Sequence, residues 1–76
     1  MPKLPRLNAK DVISALQKAG FYIHHQKGSH VHLRHADKPH IRITVPYHTH
    51  FDLPLFVIKN ILKQSEVALA DFIKLL

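Results

Sequence analysis

Residues 21–33, FYIHHQKGSHVHL, decide the fold of this chain. Apolar and polar residues alternate at both ends of the stretch, which is typical of strands with one buried face. Lys27-Gly28-Ser29 lies between them and is short enough to be a tight turn. Strands joined by so short a link pair antiparallel. The stretch therefore predicts a β-hairpin whose turn places His30 at the start of the second strand.

A third strand is predicted after a second short turn at 36–39. The residues expected to point inward are Phe21, Ile23, Val31, Leu33, Ile41, Ile43 and Val45. Helical periodicity precedes and follows these strands, so we predict an α+β fold with the order α-β-β-β-α(-α). Its sheet is a three-stranded antiparallel meander with the helices packed on one face. The other face is left to solvent or a ligand.

The first predicted helix has clear boundaries. Asn8 is a good N-cap, Asp11 completes a loose capping box, and Gly20 ends the helix just after Ala19. A second helix is expected from Pro54, with Asp52 as a possible cap. Its expected buried residues are Leu55, Ile58, Ile61 and Leu62. A last amphipathic segment spans 69–76, and neither Gly nor Pro marks a break between it and the second helix.

The length and composition indicate one small basic domain. A chain of 76 residues buries only about 60% of its unfolded surface, so we expect a single domain over 1–76, with 1–7 as a flexible arm. It has no cysteine, and no apolar run resembles a signal peptide or a membrane span, so we expect a cytoplasmic protein without membrane association. The net charge of +6 favours a polyanionic partner such as nucleic acid, or an acidic protein.

Alternation along the strands predicts which side chains lie on the open face. They are Tyr22, His24, Gln26, His30, His32, Arg34, His40, Arg42 and Thr44. This set contains four histidines, two arginines and no acid, a composition that favours an anionic ligand. The alternative is an ordinary polar sheet surface without a specific ligand. A one-residue change of register would reverse the assignment of faces.

RNA cleavage is one reaction that such a face could perform. The 2′-hydroxyl is an internal nucleophile, so the protein needs groups that move protons and cations that neutralise the phosphate. We expect His30 to be catalytic, with His32, roughly 6 to 7 Å along the same strand, as a possible assisting group. Lys27, Arg34 and Arg42 would bind phosphates, together with the backbone amides of Gly28 and Ser29.

Metal binding is the rival interpretation of the histidines. His30-Val31-His32 and His48-Thr49-His50 are both H-x-H pairs, which can place two imidazoles on one side of a metal ion. The chain offers five carboxylates and no cysteine, so further ligands are hard to name. We therefore expect no metal site and no cofactor.

The residues also carry a family resemblance over nearly the whole chain from Asn8. The matching segments are Gly20-Phe21, 26–30 with His35, 43–46 with His48, 61–64, and Phe72. Together they resemble the HicA-type toxins of bacterial and archaeal toxin–antitoxin pairs, which are mRNA interferases. Two positions depart from the family pattern. Val31 stands where a second histidine is frequent, and Ser65-Glu66 stands where a glycine is frequent near the end of the second helix.

The resemblance implies a fold similar to the double-stranded-RNA-binding domain and a single catalytic histidine at His30. It also implies endoribonuclease activity on mRNA that does not need the ribosome, and a HicB-like antitoxin that blocks the open face. Two other functions stay open. The same basic face could bind RNA without cutting it, or the chain could act mainly through protein partners by way of apolar residues such as Leu53 and Phe56.

Overall fold

The computed structural model describes residues 4–48 and 51–76. The elements in chain order are α1 (Ala9–Lys18), β1 (Phe21–Lys27), β2 (His30–His35), β3 (Lys38–Pro46), α2 (Leu55–Ser65) and α3 (Leu69–Lys74). The three strands form one antiparallel sheet in the order β1-β2-β3. The predicted α+β class and the three-stranded meander are confirmed. Within the described residues, no helix is long and apolar enough to cross a membrane.

Helix α1 begins and ends as the sequence predicts. The Asn8 side chain accepts a hydrogen bond from the Asp11 backbone N–H at 2.9 Å, and the Asp11 carboxylate accepts one from the Asn8 N–H at 3.4 Å. These two bonds satisfy backbone donors that the first turn of a helix leaves without partners. After the C-cap residue Ala19, Gly20 has a φ of +101° and turns the chain into β1.

The segment before α1 is joined to the segment before α2. Leu7 is buried, and its carbonyl accepts a hydrogen bond from the Leu53 N–H at 2.7 Å. Asn8 and Asp52 form an antiparallel bridge at the same place. The expectation that Asp52 caps α2 is wrong, because Pro54 occupies the N-cap position and no side chain caps this helix. Of the expected arm, residues 1–3 lie outside the described residues.

The core lies between the helices and one face of the sheet. Its largest fully buried apolar side chains are Val12, Leu16, Leu33, Ile41, Ile43, Val45, Ile61 and Phe72. Phe72 is the buried residue of α3, whereas Leu69 stays 37% exposed. Leu55 was expected in the buried stripe of α2, but it is 53% exposed because it stands at the helix start, beyond the core. The other three residues of that stripe are buried.

Helices α2 and α3 are separate, and a non-glycine residue makes the break. Glu66 follows α2 in the left-handed conformation, with a φ of +60° and a ψ of +21°. Buried Ser65 supports the bend, since its hydroxyl donates to the Leu62 carbonyl at 2.9 Å and accepts from the Val67 N–H at 3.2 Å. The helix break is therefore present in this chain although the glycine that is frequent in the family is absent.

Strand β1 contains an irregularity that alternation does not predict. Ile23 pairs with Leu33, but the next pair is His25 with His32, so β1 carries one extra residue, His24. Beyond this β-bulge the side chains change face. Gln26, expected on the open face, pairs with Val31 and lines a groove beside α1. Ile23, expected to be buried, is 46% exposed in the same groove.

Candidate functional site: the open face of the sheet

Three cross-strand rows make up the open face. They are Lys27–His30–Pro46, His25–His32–Thr44 and Tyr22–Arg34–Arg42. Residues directly opposite each other in antiparallel strands share a face and lie close together. The sheet therefore brings together five of the predicted site residues, Lys27, His30, His32, Arg34 and Arg42. The bulge adds His25, which alternation assigned to the covered face, and takes His24 out of the paired rows.

The hairpin turn holds His30 at one end of this face. Gly28 has a φ of +58°, and Ser29 does not share that positive φ, which is the pattern of a type II′ turn. The Gln26 side chain donates to the Gly28 carbonyl at 3.1 Å, and the Tyr47 N–H donates to the Ser29 carbonyl. These bonds tie the turn to both neighbouring strands. A Cβ at Gly28 would meet no atom within 4 Å, so the outer side of the turn is open to a ligand.

Three imidazoles form a contacting group in the middle row and beside it. The rings of His25 and His32 are stacked, with centroids 4.3 Å apart and planes 15° from parallel. The ring of His24 meets that of His25 edge-on, and their two Nδ1 atoms are 2.7 Å apart. On the β3 side, Thr44 Oγ1 lies 3.2 Å from His32 Nδ1. His32 is thus held on one side by a ring and on the other by a hydroxyl.

The surroundings of His32 favour its neutral form. Desolvation lowers its pKa from 6.5, and electrostatic interaction with His25, His30 and Lys27 lowers the pKa further. A neutral imidazole can accept a proton near neutral pH, which is what a general base must do. His32 is therefore suited to take up a proton, whereas the cations around it are suited to hold phosphate.

The third row concentrates positive charge. Arg34 and Arg42 are direct cross-strand partners, and like charges in that arrangement oppose folding. Among the described residues neither arginine forms an ion pair with a carboxylate. Tyr22 stands in the same row and is 45% exposed. An anionic ligand would relieve the repulsion between the two guanidinium groups.

Other histidines have partners outside the three rows. His40 was expected on the open face, but its Nε2 lies 2.9 Å from the Glu66 carboxylate at the end of α2. His35 Nδ1 accepts a hydrogen bond from the Asp37 N–H at 3.1 Å, and its ring packs edge-on against Phe21. In residues 4–48 and 51–76 no three His, Cys, Asp or Glu side chains are placed to hold a metal ion. His50, part of one H-x-H pair, lies outside the described residues.

The chain matches the model of a known protein family. The model of the HicA toxin of bacterial toxin–antitoxin systems matches residues 9–67. The chain belongs to the HicA toxin family. The match begins at α1 and runs through the whole sheet and α2, so the hairpin turn and the open face lie inside the family region. Membership implies an antitoxin partner. No curated protein matches the chain.

His25 is the site residue that sequence reasoning missed in this HicA-family chain. Its neighbours His24 and Gln26 are also polar, and no apolar residue follows Ile23 in β1. A run of polar residues specifies register weakly, because no side chain must enter the core. The His24-His25 repeat was the available signal that either imidazole could reach the open face.

Proposed function

We propose that this HicA-family chain is an endoribonuclease that cleaves mRNA without the ribosome, with His30 as the catalytic histidine. The observation that carries the proposal is the position of His30. It is exposed at the end of the open face, directly opposite Lys27 and one row from His32. A phosphodiester lying across this end of the sheet would contact the imidazoles of His30 and His32 and the ammonium group of Lys27.

The reaction is an intramolecular transesterification. A base removes the proton of the 2′-hydroxyl, and the 2′-oxygen forms a bond to the adjacent phosphorus. The bond from phosphorus to the 5′-oxygen breaks, and an acid protonates that oxygen, which leaves a 2′,3′-cyclic phosphate and a 5′-hydroxyl. We assign His32 as the assisting base because it is neutral near neutral pH, and His30 as the acid. In this step His32 starts neutral and ends protonated, and His30 starts protonated and ends neutral.

The cations and the turn supply phosphate contacts. Lys27 lies opposite His30, and the backbone amides of Gly28 and Ser29 are at the uncovered side of the turn. Arg34 and Arg42 lie beyond the histidine row and would bind a phosphate farther along the RNA. In this arrangement the RNA backbone crosses the strands from the arginine row to the turn.

The antitoxin partner of the family would act on the same face. We propose a HicB-like protein that covers His30 and presents acidic side chains to the arginine row. A buried protein contact there would neutralise the Arg34–Arg42 pair, as RNA does in the free toxin. We place both proteins in the cytoplasm, where mRNA is available.

A non-catalytic RNA-binding module is the second candidate, and the Arg34–Arg42 pair favours it. Two guanidinium groups on an open sheet bind phosphate whether or not cleavage follows. In this alternative His30 contributes to affinity no more than Arg34 does. The two functions therefore differ in the consequence of removing one imidazole.

The test is cleavage of an end-labelled single-stranded mRNA by the pure protein, with a chelator present. We compare the native chain with His30→Ala and with His40→Ala, a matched exposed histidine that pairs with Glu66 outside the three rows. The proposal expects cleavage by the native chain and by His40→Ala, loss of cleavage in His30→Ala, and RNA affinity within a few-fold in all three. If His30→Ala cuts as well as the native chain, or if no protein cuts, the binding module replaces the enzyme.

A further inference from the structure

The bulge at His24 has a chemical consequence for the middle row. Without the extra residue, regular alternation would place His24 opposite His32 and leave His25 on the helix side of the sheet. With it, the His25 ring lies parallel to the His32 ring at 4.3 Å, and His24 Nδ1 contacts His25 Nδ1 at 2.7 Å. His24 and His25 are both exposed, so their mutual contact adds little stability by itself, because water can satisfy both imidazoles equally well.

The contacts of His32 restrict both its ring and its proton. Stacking on His25 limits rotation of the His32 imidazole, and the contact with Thr44 Oγ1 engages Nδ1. Nε2 is then the nitrogen that stays available for proton exchange. When Nδ1 is protonated and donates a hydrogen bond to Thr44 Oγ1, Nε2 has the free lone pair that a base needs.

We infer that His25 is a positioning residue for the proposed cleavage reaction, which acts by holding the His32 ring in the orientation for proton transfer at Nε2. The inference rests on the proposed function and extends it to a residue that touches no reacting atom. His25 is held in turn by its contact with His24. The bulge is then a functional feature of β1, since it exchanges one histidine for another opposite His32.

Because charged groups surround His32, the positioning role of His25 can be tested by varying the pH. The groups that face it or flank it are His25 and Lys27 on β1, His30 and Arg34 on β2, and Arg42 on β3. The helices lie on the other side of the sheet. Every one of these groups is cationic or becomes so on acidification, so protonation of His25 opposes protonation of His32.

The experiment uses two substitutions that separate the ring from the charge. His25→Phe keeps a flat ring to stack on His32 and removes the titratable group, whereas His25→Ala removes both. Each is made in the native chain and with His32→Ala, and His40→Ala is again the matched control. Single-turnover cleavage is followed from about pH 5.5 to about pH 8.5, across the titration of imidazole. The pKa of His32 is measured by NMR, without RNA, on each folded protein that retains His32.

At the maximum of each protein's rate profile, His25→Phe should cleave within about 2-fold of the native chain, because it keeps the ring that orders His32. His25→Ala should cleave roughly 2- to 10-fold more slowly, the factor expected for releasing one ordered side chain. Both substitutions should raise the pKa of His32 toward 6.5 and move the acid limb of the rate profile to higher pH. With His32→Ala present, neither should have a further effect, and His40→Ala should match the native chain throughout.

Three results would overturn the inference while leaving the proposed function in place. They are cleavage by His25→Ala at the native rate at every pH, an equal loss in His25→Phe and His25→Ala, and a further loss when either is added to His32→Ala. A native chain that does not cleave RNA removes the proposed function and the positioning role together. The two failures remain distinguishable, because each of the three results above is measured against a native chain that cleaves.

Discussion

Five of the eight histidines fall into two groups that differ in their partners. On the open face, His25, His30 and His32 lie among other imidazoles and next to Lys27. At the margins of the sheet, His35 accepts a backbone hydrogen bond and His40 pairs with the Glu66 carboxylate. The marginal histidines thus have contacts that stabilise the fold. On the open face, the neighbours of His32 disfavour its charged form, and this grouping of basic side chains would favour an anionic ligand.

The largest expected effects are a loss of activity on substituting a histidine of the open face and a loss of stability on substituting a marginal histidine. His30→Ala should slow RNA cleavage by about 100-fold or more, the loss expected for a proton-transferring group, with little change in the free energy of unfolding. His35→Ala should do the reverse and lower the free energy of unfolding by about 1 to 3 kcal/mol, because it removes a hydrogen bond and a contact with Phe21.

Rate measurements and urea denaturation of both variants check this contrast. Rates are compared below the temperature at which either variant begins to unfold. The two groups would be indistinguishable if His35→Ala, while folded, lost as much activity as His30→Ala. The comparison would also fail if His30→Ala were the less stable variant.

The two glycines next to these groups provide a second contrast. Both have positive φ, but a Cβ at Gly20 would lie 2.6 Å from His35 Nε2, whereas a Cβ at Gly28 would meet open space. Gly20→Ala should lower the free energy of unfolding by about 2 to 4 kcal/mol through backbone strain and overlap. Gly28→Ala should cost about 1 to 2 kcal/mol through strain alone.

Urea denaturation of the two variants checks the order. Adding His35→Ala to Gly20→Ala should cost less than the sum of the two single changes, because the overlapping imidazole is gone. Equal losses in the free energy of unfolding for Gly20→Ala and Gly28→Ala would show that the His35 ring moves aside freely when a Cβ is added at Gly20.

A smaller effect concerns the partner of His40. Glu66 adopts left-handed backbone geometry that glycine tolerates better, so Glu66→Gly should raise the free energy of unfolding by about 0.5 to 1 kcal/mol despite losing the side-chain contact with His40. His40→Ala, which removes the pair and keeps the strain, should lower it by less than about 1 kcal/mol. Thermal denaturation of the two variants measures both changes. A destabilised Glu66→Gly would mean that the pair with His40 outweighs the strain.

The smallest effect is the pH dependence of stability that His32 contributes. Its pKa is lower in the folded chain than the 6.5 of the free side chain, so the unfolded chain binds the proton first on acidification. The contribution of His32 to stability is therefore fully present above about pH 6.5 and is lost as the pH falls from there toward the folded pKa.

His32→Gln should reduce the loss of stability as the pH falls below about 6.5, and His40→Gln serves as the comparison variant. Urea denaturation at a series of pH values measures the difference between the two variants. An identical pH dependence in the native chain and in His32→Gln would remove the electrostatic distinction between the two groups of histidines.

Local signals in the sequence predicted most of the fold. The capping box of Asn8 and Asp11, the glycine after α1 and the turn before His30 each depend on neighbouring residues and appear where expected, whereas the second turn is shorter than expected because β3 begins at Lys38. The buried strand residues from Val31 onward were also predicted, because their apolar alternation is uninterrupted. His30, His32, Arg34 and Arg42 share the open face for the same reason, whereas Lys27 reaches it through the bulge in β1.

The failures concern residues whose placement depends on distant parts of the chain. Asp52 has the chemistry of a helix cap, yet its backbone bridges to Asn8 across the fold. Leu55 fits the apolar period of α2, but the core does not extend to the start of that helix. His40 alternates toward the open face, and the end of α2 supplies a carboxylate that binds it.

The sequence by itself determined the α+β meander, the turn before His30 and the basic composition of one sheet face, because alternation, capping and turn chemistry act over a few residues. The tertiary structure decided which imidazole joins His32. The second half of β1 is polar on both faces, so no buried side chain selects its register, and pairing with β2 introduces the bulge at His24. That one extra residue brings His25 onto the open face. There the His25 ring stacks on the His32 ring and contributes to lowering the pKa of His32.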